Sequence, residues 1–219
     1  MSGLFISFEG TEGSGKSTQV SLLAEHLRFE GYTVRTIREP GGTPIGEEIR
    51  HTLKHSADNE AMTAETELLL MNASRAQLVR EVIRPALSSG EIVICDRFYD
   101  STIAYQGYGR QLDLKMVKSI IDVAVGETRP DITLLFVVPQ EVTAERLLKR
   151  QSTLPFMRDR IEEADRAFFE RVANGYQAIA AAEPQRIRRI DASGTVATIK
   201  SAIWEVVQGR LPSQRNQAN

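Results

Sequence analysis

The sequence contains a single cysteine, Cys95, among 219 residues, which excludes a disulfide framework within the chain. It has no run of about 18 apolar residues, the length that suggests a membrane-spanning helix. It also has no basic N-terminal segment followed by a long apolar stretch. The formal net charge is only −2, so no strong positive field attracts nucleic acid or an anionic membrane. We therefore expect a cytoplasmic protein that binds neither.

Apolar residues make up 42% of the sequence, which is enough to build a sizeable core. The length suits one α/β domain, which we expect to span residues 1–210. The polar segment that follows, residues 211–219, is predicted to be a disordered tail.

Short strand-like runs alternate with helical patterns along the chain. The runs predict strands at 4–8, 33–38, 91–95, 132–138 and 186–190. The helical patterns predict helices at about 17–30, 44–54, 63–88, 114–126, 143–150, 162–182 and 195–208. This alternation indicates an α/β fold with a doubly wound, five-stranded parallel sheet flanked by helices. Ligands bind beyond the carboxyl ends of such strands, where we expect turns at 10–17, 39–46, 96–110 and in the stretch before 160.

The segment from Gly10 to Ser17 fits the phosphate-binding loop pattern G-x-x-x-x-G-K-[ST]. Its glycines let the backbone approach an anion, and the helix that follows adds its positive dipole end. Lys16 can place a charge on the β- and γ-phosphates, and the Ser17 hydroxyl can ligate Mg²⁺. The alternative is a glycine-rich turn that binds nothing, but the strand before it and the helix after it favour the phosphate loop. The predicted nucleotide-binding residues are Gly10, Thr11, Glu12, Gly13, Ser14, Gly15, Lys16, Ser17 and Thr18.

Two further clusters follow the second and third predicted strands. Arg38 and Glu39 begin a turn rich in proline and glycine, and Arg50 follows on the next predicted helix. Arg50 is either a ligand-binding cation or an ordinary i,i+3 ion-pair partner of Glu47. After the third strand, Asp96 could hold Mg²⁺, and Arg97 beside it offers the planar fork that suits a phosphate. Aromatic and amide groups at 104–110 suit a base or a sugar.

A fourth cluster places five cations within fifteen residues, next to a predicted break between helices. Such a run is usually a solvated charged face. In this position it could instead be a basic lid, at about 146–161, that closes over phosphates and excludes water. The cations are Arg146, Lys149, Arg150, Arg158 and Arg160.

Together these motifs resemble the thymidylate kinase family, a group of P-loop nucleoside monophosphate kinases. The resemblance rests on F-E-G-T-E-G at 8–13, R-E-P-G-G-T at 38–43, the leucines 68–70 leading to R-A-Q at 75–77, D-R-F at 96–98 with A-Y-Q-G at 104–107, and D-R-I-E at 159–162. It implies a three-layer P-loop kinase fold and a homodimer. It also implies ATP- and Mg²⁺-dependent phosphorylation of dTMP to dTDP, which feeds dTTP synthesis for DNA replication.

The resemblance also implies roles for the residues that match the family motifs. Arg38, Arg50 and Arg97 would clamp the dTMP phosphate, and Arg75 would donate to thymine O4. Thr102 and Gln106 would make further thymine contacts, Tyr105 would pack under the deoxyribose, and Glu12 would reach the sugar 3′-hydroxyl. Ser17 and Asp96 would serve Mg²⁺. The full set of predicted substrate residues is Glu12, Arg38, Glu39, Arg50, Met71, Arg75, Arg97, Thr102, Tyr105 and Gln106.

Family members with an arginine inside the phosphate loop keep their transition-state cation there. This chain has Glu12 at that point, so the resemblance implies a bacterial type whose cation comes from the lid. Arg150 is the first choice, with Arg146, Arg158 and Arg160 as alternatives. The predicted catalytic residues are Lys16, Glu12, Arg97, Arg150, Arg158 and Arg160.

The sequence departs from the family pattern in two places. Met71 stands where the family usually has an aromatic residue that stacks on the base, and Phe98 or Tyr99 could compensate. The lid is also longer than usual.

Two rival functions remain open at this point. One is a kinase for another acceptor, such as dUMP, CMP or a deoxynucleoside. The other is a nucleotide-dependent switch, although the guanine-reading motif N-K-x-D of GTPases is absent.

Overall fold

The structure is a computed structural model, which describes residues 3–56, 59–139, 142–143, 146, 161 and 164–212. The fold is built on a five-stranded parallel sheet. The strands are β1 (Leu4–Glu9), β2 (Val34–Arg38), β3 (Ile92–Asp96), β4 (Ile132–Val137) and β5 (Ile187–Asp191). They lie in the order β2-β3-β1-β4-β5. All four pairings are parallel. The predicted strands and sheet type are confirmed.

Eight helices connect and flank these strands in the described part of the chain. They are α1 (Lys16–Phe29), α2 (Pro44–Lys54), α3 (Ala64–Leu78), α4 (Arg84–Ser88), α5 (Tyr99–Thr102), α6 (Leu114–Val125), α7 (Arg166–Ala182) and α8 (Val196–Val207). π-turns at Val79–Ile83 and Ile103–Gly109 continue α3 and α5. Short 3₁₀ turns lie at Asn59–Ala61 and Gln208–Arg210.

The core lies on both faces of the sheet because alternate strand residues point to opposite sides. Phe5, Val93 and Leu135 pack on one face with α3, α6 and α7. Ile6 and Ile94 pack on the other face with α1 and α8. The result is the predicted three-layer, doubly wound arrangement.

Two predicted boundaries were wrong. The stretch 96–110 was expected to be a turn, yet Tyr99–Gly109 is helical, because Ile103 and Ala104 are buried in the core and the segment packs along α7. The predicted helix 162–182 begins only at Arg166, where the Asp165 side chain accepts the Phe168 N–H as an N-cap.

Some predicted segments fall outside the described residues. These are most of the helix 143–150, most of the lid 146–161, and residues 213–219 of the tail. Across the described ranges, no helix combines the length and apolarity that crossing a membrane requires.

The strand register positions the site. Phe8 on β1 and Arg38 on β2 are both paired with Asp96 on β3. The Arg97 N–H then donates to the Phe8 carbonyl oxygen at 2.9 Å, one step beyond the sheet. The phosphate loop, the Arg38 turn and the Asp96 turn therefore leave the sheet at the same edge.

Candidate active site

A cavity of about 540 Å³ lies at this edge, beyond the carboxyl ends of β1, β2 and β3. Most of the residues around it were predicted from the sequence. These are Glu12, Gly13, Gly15, Lys16, Ser17, Thr18, Arg38, Glu39, Arg50, Met71, Arg75, Asp96, Arg97, Thr102, Tyr105 and Gln106. Two more lining residues are Arg146, predicted as a lid cation, and Phe98, predicted as a possible stacking aromatic; the others are Pro40, Lys54, Ser101 and Ile161.

The phosphate loop has the backbone geometry that its glycines predict. Gly10, Gly13 and Gly15 adopt φ values of 135°, 71° and 91°. A Cβ on Gly10 would lie 2.7 Å from the Phe136 carbonyl oxygen, so only glycine fits. Gly15 is the N-cap of α1 and offers no side-chain cap, which leaves the first N–H groups of the helix for an anionic ligand.

Lys16 is held at the wall of the cavity by its own loop. Its Nζ donates to the Gly10 and Thr11 carbonyl oxygens at 3.0 and 2.8 Å, and to Ser14 Oγ at 3.2 Å. Gly10, Thr11 and Ser14 do not themselves line the cavity but fix this ammonium group. Burial and the nearby Arg97 lower the pKa of Lys16 from 10.5 to about 8.

Ser17 and Asp96 form a pair of oxygen ligands. Ser17 Oγ donates to Asp96 Oδ2 at 2.6 Å, and both residues line the cavity. A hydroxyl and a carboxylate are hard ligands of the kind that Mg²⁺ prefers. Among the described residues, no group of three or more His, Cys, Asp or Glu side chains could hold a metal ion. Mg²⁺ generally keeps several waters and binds through one or two carboxylates together with phosphate oxygens.

Arg97 is the central cation of the site. Its backbone has φ = 69°, a left-handed conformation that is costly for a non-glycine residue and that clusters at functional sites. Its Nη1 donates to the Gly10 carbonyl oxygen at 2.9 Å and to Ser101 Oγ at 3.1 Å. Its Nη2 donates to Glu12 Oε1 at 2.7 Å. These bonds tie the turn after β3 to the phosphate loop.

Glu12 is bonded from two sides. Besides the Arg97 bond, its Oε2 accepts the Tyr105 hydroxyl at 2.6 Å, and Arg97 Cζ lies 5.1 Å from the Tyr105 ring centre. Burial opposes ionisation, but Arg97 and Lys16 outweigh it, so the pKa of Glu12 lies below its ordinary value. Glu12 is therefore an ionised carboxylate at the cavity wall.

Arg75 reaches the cavity from within the core and is only 2% exposed. Its Nε and Nη2 both donate to Glu39 Oε2, at 2.8 and 2.7 Å, and its Nη1 donates to Asn72 Oδ1 at 2.9 Å. Its Cζ lies 5.5 Å from the Phe98 ring centre. Burial raises the pKa of Glu39 despite this partner. The guanidinium plane is therefore fixed before a ligand binds.

An aromatic side chain accompanies Met71 at the cavity. Both Met71 and Phe98 line it. Tyr99, the other aromatic considered, packs elsewhere, with the guanidinium carbons of Arg129 and Arg186 at 5.4 and 5.2 Å from its ring centre.

The two arginines near β2 also line the cavity. Arg38 Nη2 donates to Glu47 Oε2 at 3.2 Å, and Glu47 Oε1 accepts the Gly42 N–H at 2.7 Å. Arg50 Nη1 donates to the Pro40 carbonyl oxygen at 2.9 Å. Glu47 thus closes the glycine turn with Arg38, while Arg50 is anchored to the backbone beside the cavity.

Of the lid cations, the structure describes Arg146, which lines the cavity and whose Nη1 lies 3.5 Å from the Ser14 carbonyl oxygen. Arg150, Arg158 and Arg160, predicted to be catalytic, lie outside the described residues.

Sequence reasoning missed a buried carboxyl group behind Arg97. Glu9 accepts the Phe98 N–H at 2.7 Å, the Ser101 hydroxyl at 2.6 Å and the Tyr176 hydroxyl at 3.0 Å. Burial and the neighbouring Asp100 raise the pKa of Glu9 to about 7. The position of Glu9 at the end of a buried strand was a signal in the sequence that could have indicated its place at the site. Nothing in the local pattern marked Tyr176, which comes from α7. Lys54, which lines the cavity one turn after Arg50, was also missed.

Comparison with known proteins identifies the family. The sequence model described as thymidylate kinase matches residues 8–203. The thymidylate kinase of Alcanivorax borkumensis is 49% identical over 95% of this chain and 97% of its own. That of Synechococcus sp. strain JA-2-3B'a(2-13) is 47% identical over 95% and 96%.

A solved structure agrees with these relatives. The crystal structure of thymidylate kinase from Ehrlichia chaffeensis superposes with a TM-score of 0.74 at 33% identity, and the match covers 95% of this chain and 100% of that one. The predicted P-loop kinase fold and the phosphotransferase class are confirmed. The chain belongs to the thymidylate kinase family.

Proposed function

We propose that the protein transfers the γ-phosphoryl group of ATP to dTMP, yielding ADP and the dTDP that supplies dTTP synthesis. One observation carries the proposal: a single cavity joins the phosphate loop to the buried Arg75, with Arg38, Arg50 and Arg97 along its wall. A donor and an acceptor that are both anionic need such a cationic bridge to meet.

The donor end of the cavity would take the ATP phosphates. The loop N–H groups and Lys16 Nζ offer hydrogen bonds and charge to the β- and γ-phosphates. Ser17 and Asp96 would hold Mg²⁺, which neutralises charge on the phosphates when bound.

At the acceptor end, the arginine groups would bind the dTMP phosphate and aim one oxygen at the γ-phosphorus. A phosphate monoester has a second pKa near about 6, so this oxygen is largely ionised at neutral pH and needs little help from a base. A new O–P bond forms as the bond to the ADP oxygen breaks. Positioning and charge neutralisation therefore supply most of the catalysis.

The base and sugar would lie against the remaining lining residues. Arg75 offers N–H donors to thymine O4, while Met71 and Phe98 provide apolar packing and Thr102 and Gln106 provide polar contacts. Glu12, bonded to the Tyr105 hydroxyl, is an acceptor for the sugar 3′-hydroxyl.

The lid would supply the cation that stabilises the transition state. Arg150 remains the first choice for this cation, with Arg158 and Arg160 as alternatives. Arg146 is supported by its place at the cavity.

We also propose a cytoplasmic homodimer. Exposed apolar side chains on two packed helices support it: Leu69 on α3 is 56% exposed and Val123 on α6 is 78% exposed. Sedimentation at assay concentration tests the oligomeric state.

The experiment on function is an acceptor panel with ATP: dTMP, dUMP, dCMP and thymidine. We expect dTMP to give the highest kcat/KM, with one ADP formed for each dTDP. Lys16→Ala should abolish transfer with the fold intact, and Lys118→Ala, an exposed lysine on α6, should not. Preference for another acceptor would overturn the assignment of dTMP as the substrate. ADP formation without an acceptor would indicate a nucleotide-dependent switch.

A further inference from the structure

A buried carboxylate lies directly behind one of the residues that face the base. Glu67, on the first turn of α3, is 0% exposed. Its Oε1 accepts a hydrogen bond from Gln106 Nε2 at 2.7 Å, and Gln106 lines the cavity. The contact joins α3 to the π-turn Ile103–Gly109, whose extra residue per turn is typical of functional segments.

Arg110 pairs with this carboxylate and holds it in place. Its Nε lies 3.2 Å from Glu67 Oε1 and its Nη2 lies 3.1 Å from Glu67 Oε2, a fork that matches both carboxylate oxygens. The guanidinium also lies over the Phe168 ring, with Cζ 4.7 Å from the ring centre. Arg171 Nε donates to the Gly109 carbonyl oxygen at 3.0 Å and fixes the end of the π-turn. Arg110 therefore fixes Glu67, and Arg171 fixes the end of the segment that carries Gln106.

The chemistry of the pair sets the direction of the Gln106 amide. An ionised carboxylate can only accept hydrogen bonds, so Gln106 must turn its NH₂ group toward Glu67. The amide oxygen then points to another side of the group, where it can accept a bond from the cavity. Reversing the amide would place two oxygens together without a proton between them, a costly arrangement in a buried site.

We propose that Glu67 is a positioning residue for base selection: through Gln106 it makes the cavity present an acceptor to the pyrimidine N3 position. Thymine and uracil carry N3–H and can donate to that acceptor, whereas cytosine carries an unprotonated N3 and cannot. Arg75 supplies donors for O4, so the two residues read adjacent atoms of one ring edge. The inference rests on the proposed function, because it assumes that the base lies against Gln106.

The test compares dTMP with its N3-methyl analogue, which keeps O2 and O4 as acceptors but has no N3–H to donate. For the unchanged protein we expect kcat/KM to be about 10- to 100-fold lower for the analogue, since the amide oxygen loses its donor. In Glu67→Gln the new amide can donate or accept, so Gln106 is free to reverse. We expect kcat/KM for dTMP to fall about tenfold and the penalty on the analogue to shrink by about the same factor.

A merely structural role would lower the activity on both substrates equally and leave their ratio unchanged, and that result would overturn the proposal. Glu170→Gln is the matched control, because Glu170 pairs with Arg166 on the outer surface of α7. If Glu67→Gln does not fold, the double variant Glu67→Leu with Arg110→Leu decides the question, because it removes the buried carboxylate together with its cation. The ratio should relax in the same direction, and an unchanged ratio would overturn the proposal.

Gln106→Leu distinguishes the contact between Gln106 and the base from the positioning role of Glu67. If the penalty on the analogue persists in Gln106→Leu, Gln106 does not read N3, and the residue assignment of the proposed function fails with the inference. If Gln106→Leu abolishes the penalty but Glu67→Gln keeps it, the positioning role alone fails. We expect Glu67→Gln to have no further effect on the ratio in the Gln106→Leu background.

Discussion

Arg97 and Glu12 form an ion pair, Nη2 to Oε1 at 2.7 Å, between the turn after β3 and the phosphate loop. Both side chains also bond the Tyr105 hydroxyl, at 3.3 Å from Arg97 and 2.6 Å from Glu12. The loop that would hold ATP and the arginine that would hold dTMP are therefore parts of one network. Displacing either partner should displace the other.

The first prediction tests this coupling. Glu12→Gln and Arg97→Met should each lower kcat/KM for dTMP, and the double variant should lose less than the sum. The interaction energy should be about 1–3 kcal/mol, typical of residues in one hydrogen-bond network. The exposed pair Arg166–Glu170 serves as control, measured by the free energy of unfolding and expected to give below about 0.5 kcal/mol. Additive effects at Glu12 and Arg97 would mean that they act separately.

The second prediction concerns the buried pair Arg75 and Glu39. Arg75→Met leaves Glu39 buried without its cation, so the free energy of unfolding should fall by about 3–5 kcal/mol. The loss should be smaller at pH 5 than at pH 8, because the pKa of Glu39 is already raised and rises further without Arg75. Urea unfolding at both pH values measures this. Arg75→Met with Glu39→Leu should recover most of the loss, and no recovery would point to lost packing instead.

The third prediction concerns Glu9 and pH. Its pKa is about 7 in the fold against 4.5 ordinarily, so the folded state binds the proton more tightly than the unfolded chain. This contribution to stability is complete below pH 4.5 and disappears as the pH rises through 7. Glu9→Gln cannot titrate. Its free energy of unfolding should therefore increase relative to wild type between acidic pH and pH 8, by up to roughly 3 kcal/mol.

Denaturant unfolding across that range checks the Glu9 prediction. Glu205→Gln, at an exposed position on α8, should show no such trend. A stability difference between wild type and Glu9→Gln that does not vary with pH would contradict a raised pKa.

The fourth prediction concerns the phosphate loop backbone. Gly10→Ala would place a Cβ 2.7 Å from the Phe136 carbonyl oxygen at a φ of 135°. We expect the free energy of unfolding to fall by about 1–3 kcal/mol and the KM for ATP to rise more than about tenfold. Gly209→Ala is the control, because a Cβ there meets no atom within 4 Å, and its effect should stay within about 0.5 kcal/mol. Normal ATP binding by Gly10→Ala would exclude the loop from the site.

The sequence predicted the central strands and the phosphate loop well because both depend on local pattern. β1 and β3 are continuous apolar runs, and the glycines from Gly10 to Gly15 have one known use between a strand and a helix. The helical turn at 99–109 was missed for the opposite reason. Its polar and aromatic residues suggested ligand contacts, while its helical form depends on burial in the core and on packing along α7.

Contacts between residues far apart in the sequence also could not be predicted. Tyr176 bonds Glu9 across 167 positions, and Gln106 bonds Glu67 across 39. No spacing rule connects residues so far apart. Single cavity residues such as Arg75 and Gln106 were found from their family motifs, whereas the partners that orient them became visible only in the folded chain.

Arg75 is immobilised by Glu39 and Asn72 when the chain folds. Ordering a long side chain at a binding site ordinarily costs about 0.5–1.5 kcal/mol, and a ligand of this protein would not bear that cost. The same rigidity limits inhibitor design, because the fixed Arg75 guanidinium cannot move to accommodate a bulky substituent. Compounds built for this cavity should keep a small acceptor there and extend toward Met71, whose unbranched thioether can adapt its shape.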